Sequence, residues 1–507
     1  MTSATSASPT PDAGNAAALI DAFGDARVVC LGDIMLDRYV YGRVDRISPE
    51  APIPVIAVER EAAMLGGVGN VARNVAALGG TASLIATIGD DDPGREVVRL
   101  LSEESRIDPD LVTDIGRATT VKTRFVAAGQ QLLRADHEVA LPLSQGGVDA
   151  LVAAARAEMK DAGAIVLSDY AKGALSDTVL QAIIGAARDL GLPVIVDPKA
   201  ADFSRYSGAT LIKPNLKELA LATGMKCGTD SEIMDAAHAA LIASHADALL
   251  ITRAQAGMTL VARVDGGGLA TRHFPARAQE VYDVSGAGDT VLAALGLAIA
   301  AGATLGDAAQ LANAAAGIVV SKVGTAVVHP DELSHALMAA SVSGAEAKIA
   351  SATRAREQAA RWRAQGLRVG FTNGCFDLVH PGHLSLLRQA RAECDRLVVG
   401  LNSDASVRRL KGEGRPLQSE TARALVLASL ADVDMVAVFG EDTPRALIEA
   451  ISPDVLVKGA DYTVETVVGA DIVQAAGGRI VLARLVPGES TTGTLARMTA
   501  KAAGGGE

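Results

Sequence analysis

Two runs of this chain combine residue types that handle phosphate, and they differ in what stands beside the glycines. The first is Asp283-Val284-Ser285-Gly286-Ala287-Gly288-Asp289-Thr290. Gly286, Ala287 and Gly288 leave room for backbone N–H groups to approach an anion at the start of a helix, where the helix dipole reinforces them. Asp289 adds a carboxylate able to take a proton from an attacking hydroxyl. Local sequence alone is equally consistent with a plain helix cap after a glycine turn. The second run is Asn373-Gly374-Cys375-Phe376-Asp377-Leu378-Val379-His380-Pro381-Gly382-His383. Proline suits the first helical position, and imidazoles three residues apart share one side of a first turn. From there they can donate to phosphates as charge moves onto departing pyrophosphate. No carboxylate is equivalently placed as a base. A hydroxyl acceptor needs one and a phosphate acceptor does not, so the two runs imply two reactions.

The elements that position these runs follow from apolar periodicity. Runs with strand character at Arg27–Leu31, Ala82–Ile88, Ala164–Ser168, Pro193–Asp197, Thr210–Lys213 and Ala248–Thr252 alternate with helical stretches at 94–104, 147–160, 176–190 and 230–243. That alternation predicts parallel strands covered by helices. Residues 39–58 read instead as extended excursions outside the sheet. A second, shorter alternation has strands at Arg368–Thr372, Arg396–Asn402, Met435–Phe439, Val455–Lys458 and Arg479–Ala483. The expected organisation is a disordered tail over 1–18, a first domain over 19–340, a helical linker over 341–366 and a second domain over 367–507.

Bulk properties agree. A chain of 507 residues exceeds one ordinary core, and 49% hydrophobic with only 3% aromatic content suits aliphatic α/β layers. A net charge of -12 disfavours non-specific nucleic-acid binding. Cys30, Cys227, Cys375 and Cys394 form no C-x-x-C pair, which argues against a zinc site or a disulfide framework. The opening residues lack the cationic start and apolar core of a signal peptide, and no apolar run reaches a membrane span. The expectation is a soluble, cytoplasmic protein with neither nucleic acid nor membrane as partner.

Further segments join the first run. Gly66-Gly67-Val68-Gly69-Asn70 opens another helix behind a glycine approach, and Asn70 can offer an amide to sugar hydroxyls. Together with Asp283–Thr290 this closely resembles the ribokinase, or phosphofructokinase-B, family of sugar kinases over roughly residues 25–335. The resemblance implies Asp289 as base and Gly286, Ala287 and Gly288 as anion hole. It implies that Asn215 and Glu218, of Asn215-Leu216-Lys217-Glu218, organise nucleotide and, indirectly through Glu218, Mg²⁺. It places Asp33 of Gly32-Asp33, with Asp37 nearby, beside Gly66, Gly67 and Asn70 at the sugar, and makes residues 39–58 a β lid that can build a homodimer. Lys172, in Ser168-Asp169-Tyr170-Ala171-Lys172-Gly173, reads either as a phosphate ligand or as a solvated loop lysine. Val284 and Ser285 replace two threonines of the commonest signature, a minor departure.

The second run resembles the cytidylyltransferase-like nucleotidyltransferases over roughly 367–497. In order follow Gly400-Leu401-Asn402-Ser403-Asp404, then Lys411, Arg415, Pro416 and Arg423, then Lys458-Gly459-Ala460-Asp461-Tyr462, then Glu489-Ser490-Thr491-Thr492-Gly493. The resemblance implies catalytic His380 and His383, with nucleotide or phosphate bound by Asn373, Phe376, Asp377, Lys411, Arg415, Lys458, Ser490, Thr491 and Thr492. The Arg-Thr pair of several cytidylyltransferases is replaced by Val486-Pro487-Gly488-Glu489, so cytosine recognition is not carried over. The fold expected is thus α/β throughout: a ribokinase-like N-terminal domain with a β lid and a smaller doubly wound HxGH domain. That order of domains resembles a family of bifunctional heptose-phosphate enzymes. It implies ATP, Mg²⁺, heptose 7-phosphate and heptose 1-phosphate as ligands, and ADP-heptose for lipopolysaccharide core as product. Two alternatives stand beside it: a sugar kinase fused to a CTP-using polyol-phosphate transferase, and a non-catalytic sugar-nucleotide sensor.

Overall fold

The computed structural model describes residues 13–264, 266–276, 283–322, 324–460 and 462–484. It divides into two units, Met1–Leu337 and Met338–Glu507.

The larger sheet of the first unit has nine strands. Their spatial order is Leu269–Phe274, Met258–Arg263, Ala248–Thr252, Leu211–Ile212, Val194–Asp197, Ala164–Ser168, Arg27–Gly32, Thr81–Ile88 and Ile107–Thr113. The first two join antiparallel and the rest run parallel. Parallel strands are buried on both faces, which is why they read as unbroken apolar runs. The strand Arg27–Gly32 shows how: Val28 and Cys30 pack into the core on one side, Val29 and Leu31 into that on the other. Its carboxyl end lies between the ends of Ala164–Ser168 and Thr81–Ile88, where the chain order reverses and open α/β sheets place ligands.

The excursion expected over 39–58 is larger than the sequence suggested. Ile34–Ile47 and Pro54–Gly67 form a long antiparallel pair, and Thr120–Ala127 and Gln130–His137 complete a separate four-stranded sheet. At the other end of this unit, a helix over Ala13–Asp21 extends into the segment read as a tail, because Ile20 and the following Phe23 bury in the core.

The second unit is a six-stranded parallel sheet in the order Ile349–Ala350, Met435–Phe439, Arg396–Asn402, Val369–Gly374, Val455–Gly459 and Arg479–Ala483. The reversal of strand order falls between Val369–Gly374 and Val455–Gly459. The segment read as a linker is more than that. After the helix Pro330–Lys348, Ile349 and Ala350 pair with Val436 and Ala437 as an edge strand. Ser351 then caps a helix over Ala352–Ala364 whose Ala355 and Ala359 are buried in this unit's core. No helix among the described residues is long and apolar enough to cross a membrane.

Candidate active sites

In the first unit, Gly67 adopts φ 59° as it starts the helix Val68–Ala77. A side chain there would collide with the Asp33 carbonyl, and one at Gly66 with the Asp37 carboxylate. The glycine pair thus lets this helix begin against the end of the first strand, with Val68 N–H donating to the Asp33 carbonyl at 3.0 Å. Two turns present Asn70 and Asn74 inward, both buried. Asn70 Nδ2 donates to Asp289 Oδ2 at 2.8 Å, and Asn74 accepts at 3.0 Å from the Thr290 hydroxyl. Asn70, the residue expected near the sugar, thus holds one oxygen of the Asp289 carboxylate.

Asp289 occupies the first turn of the helix Ala287–Ala300 and is buried. Gly286 begins it at φ 78°, a left-handed conformation that suits glycine. Its other oxygen accepts from the Tyr170 hydroxyl at 2.7 Å. Burial pushes the Asp289 carboxyl up to about 7, against the opposing hydrogen bonds from Asn70 and Tyr170. Two further residues flank this glycine turn: the Lys213 ammonium and Asp197 carboxylate pair at 2.9 Å, and both would lie 3.8 Å from a Cβ built on Gly288. Burial raises the Asp197 carboxyl, with Lys213 opposing. At the other end of the turn, Asp283 accepts from the amides of Ser285 at 2.8 Å and Gly324 at 3.0 Å.

The remaining kinase candidates divide. Asp33 is committed to holding loop 169–174, since its carboxylate accepts from the amides of Tyr170, Lys172 and Ala174 at 2.9, 3.0 and 3.1 Å. Asp37, paired with Arg124 at 2.5 Å beside Gly66, is the carboxylate on the lid. Lys172 is not a freely solvated lysine, because its ammonium meets Glu138 at 2.8 Å. Asn215 and Glu218 form a capping box: Asn215 Oδ1 accepts from the Glu218 amide at 2.9 Å, and Glu218 Oε2 from the Asn215 amide at 3.0 Å. Glu218 still lies close enough to Asp197 to raise its carboxyl. Tyr170, Asp197, Lys213 and Arg124 were missed by sequence reasoning. The available signal was a charged residue closing an apolar strand, as Asp197 and Lys213 do.

In the second unit the strand Val369–Gly374 ends at Asn373-Gly374, and Phe376 turns the chain at φ 44° with its ring buried 4.9 Å from that of His383. His380 stands at the N-terminal boundary of the helix Pro381–Ala392, and its ring stacks on His383 at 3.8 Å. Burial, with His380 beside it, holds His383 down to about 4, so the imidazole is neutral at pH 7. Lys458 crosses the strand-order reversal to donate to the Asn373 carbonyl at 3.1 Å. Asp377 is buried and acts as a latch: it pairs with Arg415 and accepts from Leu417 N–H at 2.6 Å. Arg423, wholly buried, joins three segments by donating to the carbonyls of Gln418 at 3.1 Å and Cys375 at 2.5 Å and to Asp404 at 2.8 Å. Lys411 ends the helix Asp404–Lys411 and is exposed. Ser490, Thr491 and Thr492 lie outside the described residues.

Residues 25–332 match the family model of pfkB carbohydrate kinases and residues 371–488 the cytidylyltransferase-like model. The first unit shares its fold with phosphofructokinase-2 from Escherichia coli, at a TM-score of 0.51 and 22% identity, over 62% of this chain and 98% of that one. The chain is therefore a two-activity enzyme, a sugar kinase joined to a nucleotidyltransferase. It is 57% identical to bifunctional protein HldE of Rhodospirillum rubrum over 97% of both chains, and 58% identical to that of Caulobacter sp. over 96% of this chain and 98% of the relative. It belongs to the family of bifunctional HldE proteins.

Proposed function

We propose that the first unit phosphorylates heptose 7-phosphate at its anomeric hydroxyl with ATP, giving heptose 1,7-bisphosphate. After a separate phosphatase removes the 7-phosphate, the second unit transfers AMP from ATP to heptose 1-phosphate, giving ADP-heptose and pyrophosphate. The observation that carries the kinase half is Asp289, fixed on both oxygens at the start of a glycine-led helix. Its carboxylate receives the proton of the acceptor hydroxyl while the N–H groups around Gly286–Gly288, with Lys213 beside them, take up charge on the transferred phosphoryl group. In the transferase half the sugar phosphate is the nucleophile, so no protein base is required. His380 and the neutral His383 donate hydrogen bonds to the departing pyrophosphate, and Lys458, Arg415 and Lys411 add positive charge. Full-length relatives of one name support the heptose reading over a CTP-using polyol enzyme.

Mg²⁺ bound to the triphosphate would offset phosphate charge in both reactions. In the kinase half Asp197 and Glu218, the latter close enough to raise the Asp197 carboxyl, are the carboxylates to hold it through water. We place the kinase chemistry within 19–340 and the transferase motifs within 367–507, the protein in the cytoplasm, and a homodimer through the lid sheet.

The test is incubation with heptose 7-phosphate, ATP and Mg²⁺, with and without a heptose bisphosphatase, followed by mass spectrometry. Bisphosphate alone is expected without the phosphatase and ADP-heptose with it. A chain that forms neither product refutes the assignment.

A further inference from the structure

One face of the lid sheet carries charge that the chemistry at Asp289 does not use. The strand register sets Asp37 opposite Lys122, Tyr39 opposite Arg124, and Lys122 opposite Asp136, so these side chains share a face. Asp37 and Tyr39 are buried and the Lys122 side chain is 15% exposed. Lys122 Nζ lies 3.5 Å from Glu138 Oε2 and 3.5 Å from Asp136 Oδ2, and Lys172 Nζ lies 2.8 Å from Glu138 Oε1. Two ammonium groups, one from a lid strand and one from loop 169–174, thus share the Glu138 carboxylate, with Asp136 beside the first. Two residues before Lys172 on that loop, Tyr170 donates to Asp289. On the same face, the buried Tyr39 hydroxyl has no hydrogen-bond partner among the described residues, an expense folded proteins rarely carry without a ligand to satisfy it.

We propose that Lys122 and Lys172 are the subsite for the phosphate that the acceptor sugar already carries, with Glu138 holding their ammonium groups apart as a carboxylate stand-in until that phosphate displaces it. This rests on the proposed kinase function and names the part of the substrate that the lid recognises. A phosphate dianion carries more charge than one carboxylate and three acceptor oxygens against two, so it wins the exchange. The unpartnered Tyr39 hydroxyl then donates to the same ligand. The phosphate end of the sugar would be read by the lid and the anomeric end by Asp289, with loop 169–174 touching both.

The experiment measures kcat and KM for heptose 7-phosphate and for unphosphorylated heptose, together with competition by inorganic phosphate against the sugar. Lys122→Met should cut the preference for the phosphorylated sugar about 100-fold, mainly through KM, and weaken inhibition by phosphate at least about 10-fold. Lys122→Arg should keep most of both. Glu138→Gln should tighten sugar phosphate and inorganic phosphate several-fold, a gain that a misfolded variant cannot produce. If Lys122→Met keeps the parent's preference and phosphate inhibition, or Glu138→Gln weakens both, the subsite is wrong. If heptose 7-phosphate is no substrate yet phosphate still competes through Lys122, the kinase assignment fails and the subsite stands.

Discussion

Removing one oxygen from Tyr170 should move the pH at which the kinase half switches on. Tyr170 donates to Asp289 at 2.7 Å, and that bond stabilises the charged carboxylate. Burial works the other way and the balance leaves the group at about 7. A hydrogen bond to a charged group contributes at least about 1.5 kcal/mol, equivalent to about one pH unit. Tyr170→Phe keeps the ring, and hence the burial, but deletes the donor, so the carboxyl should rise to about 8. The base works only when ionised; its activity is therefore lost as pH falls through its pKa, and the variant should lose it sooner. At pH 7 the ionised fraction falls from about one half to about one tenth, a loss near 5-fold in kcat, while at pH 9 the variant should approach the parent. A pH–rate profile of kinase turnover from pH 5.5 to 9.5 with saturating substrates reads this directly. An acid limb that stays in place, moves to lower pH, or a loss equal at pH 7 and pH 9 would refute the role given to Tyr170.

Asp289→Asn should lower kinase turnover about 10²–10⁴-fold and leave adenylyl transfer nearly unchanged, with His383→Ala producing the reverse; separate assays on each folded variant check this, and equal loss of both activities would contradict independent sites. Because a carboxyl raised from 3.8 to about 7 favours unfolding above pH 4, where the unfolded chain ionises it more readily, Asp289→Asn should also raise the melting temperature of the first unit at pH 8, by about 1–4 kcal/mol in stability. Gly286→Ala places a Cβ 2.9 Å from Asn70 Nδ2 at φ 78° and should reduce kinase kcat at least about 10-fold by shifting Asn70 off Asp289, measured against unchanged adenylyl transfer. Arg423→Lys retains charge but cannot hold Gln418, Cys375 and Asp404 together; the KM for ATP in the transferase assay should rise about 10-fold with kinase parameters unmoved.

The parts of the fold legible in the sequence were those whose burial pattern is local. Ala164–Ser168 and Ala248–Thr252 sit between two cores and read as apolar runs. Thr120–Ala127 and Gln130–His137 did not, because the first alternates Val121 and Ala127 with Lys122 and Arg124 over too few buried positions, and the second is exposed along its whole length. Ile349–Ala350 is too short to show a period. The glycine turns and paired histidines marked both sites because their spacing is itself the chemistry. The partners of Asp289 were hidden: Asn70 lies 219 residues away and Tyr170 119, and only the folded sheet brings them together. The same holds for Asp33, whose acidic side chain looks free on paper and is occupied by three amides from loop 169–174.

Ile349 and Ala350 matter to anyone who divides this protein for separate study. A fragment begun near residue 367, where the transferase motif first shows, discards the strand that covers Met435–Phe439 and the helix that buries Ala355 and Ala359. It also loses Arg363, which donates to the carbonyls of Ile451 and Ser452 at 2.6 Å. An exposed edge strand is an invitation to pair with another copy. Such a fragment should self-associate, whereas one begun ahead of Ala345 keeps its own border.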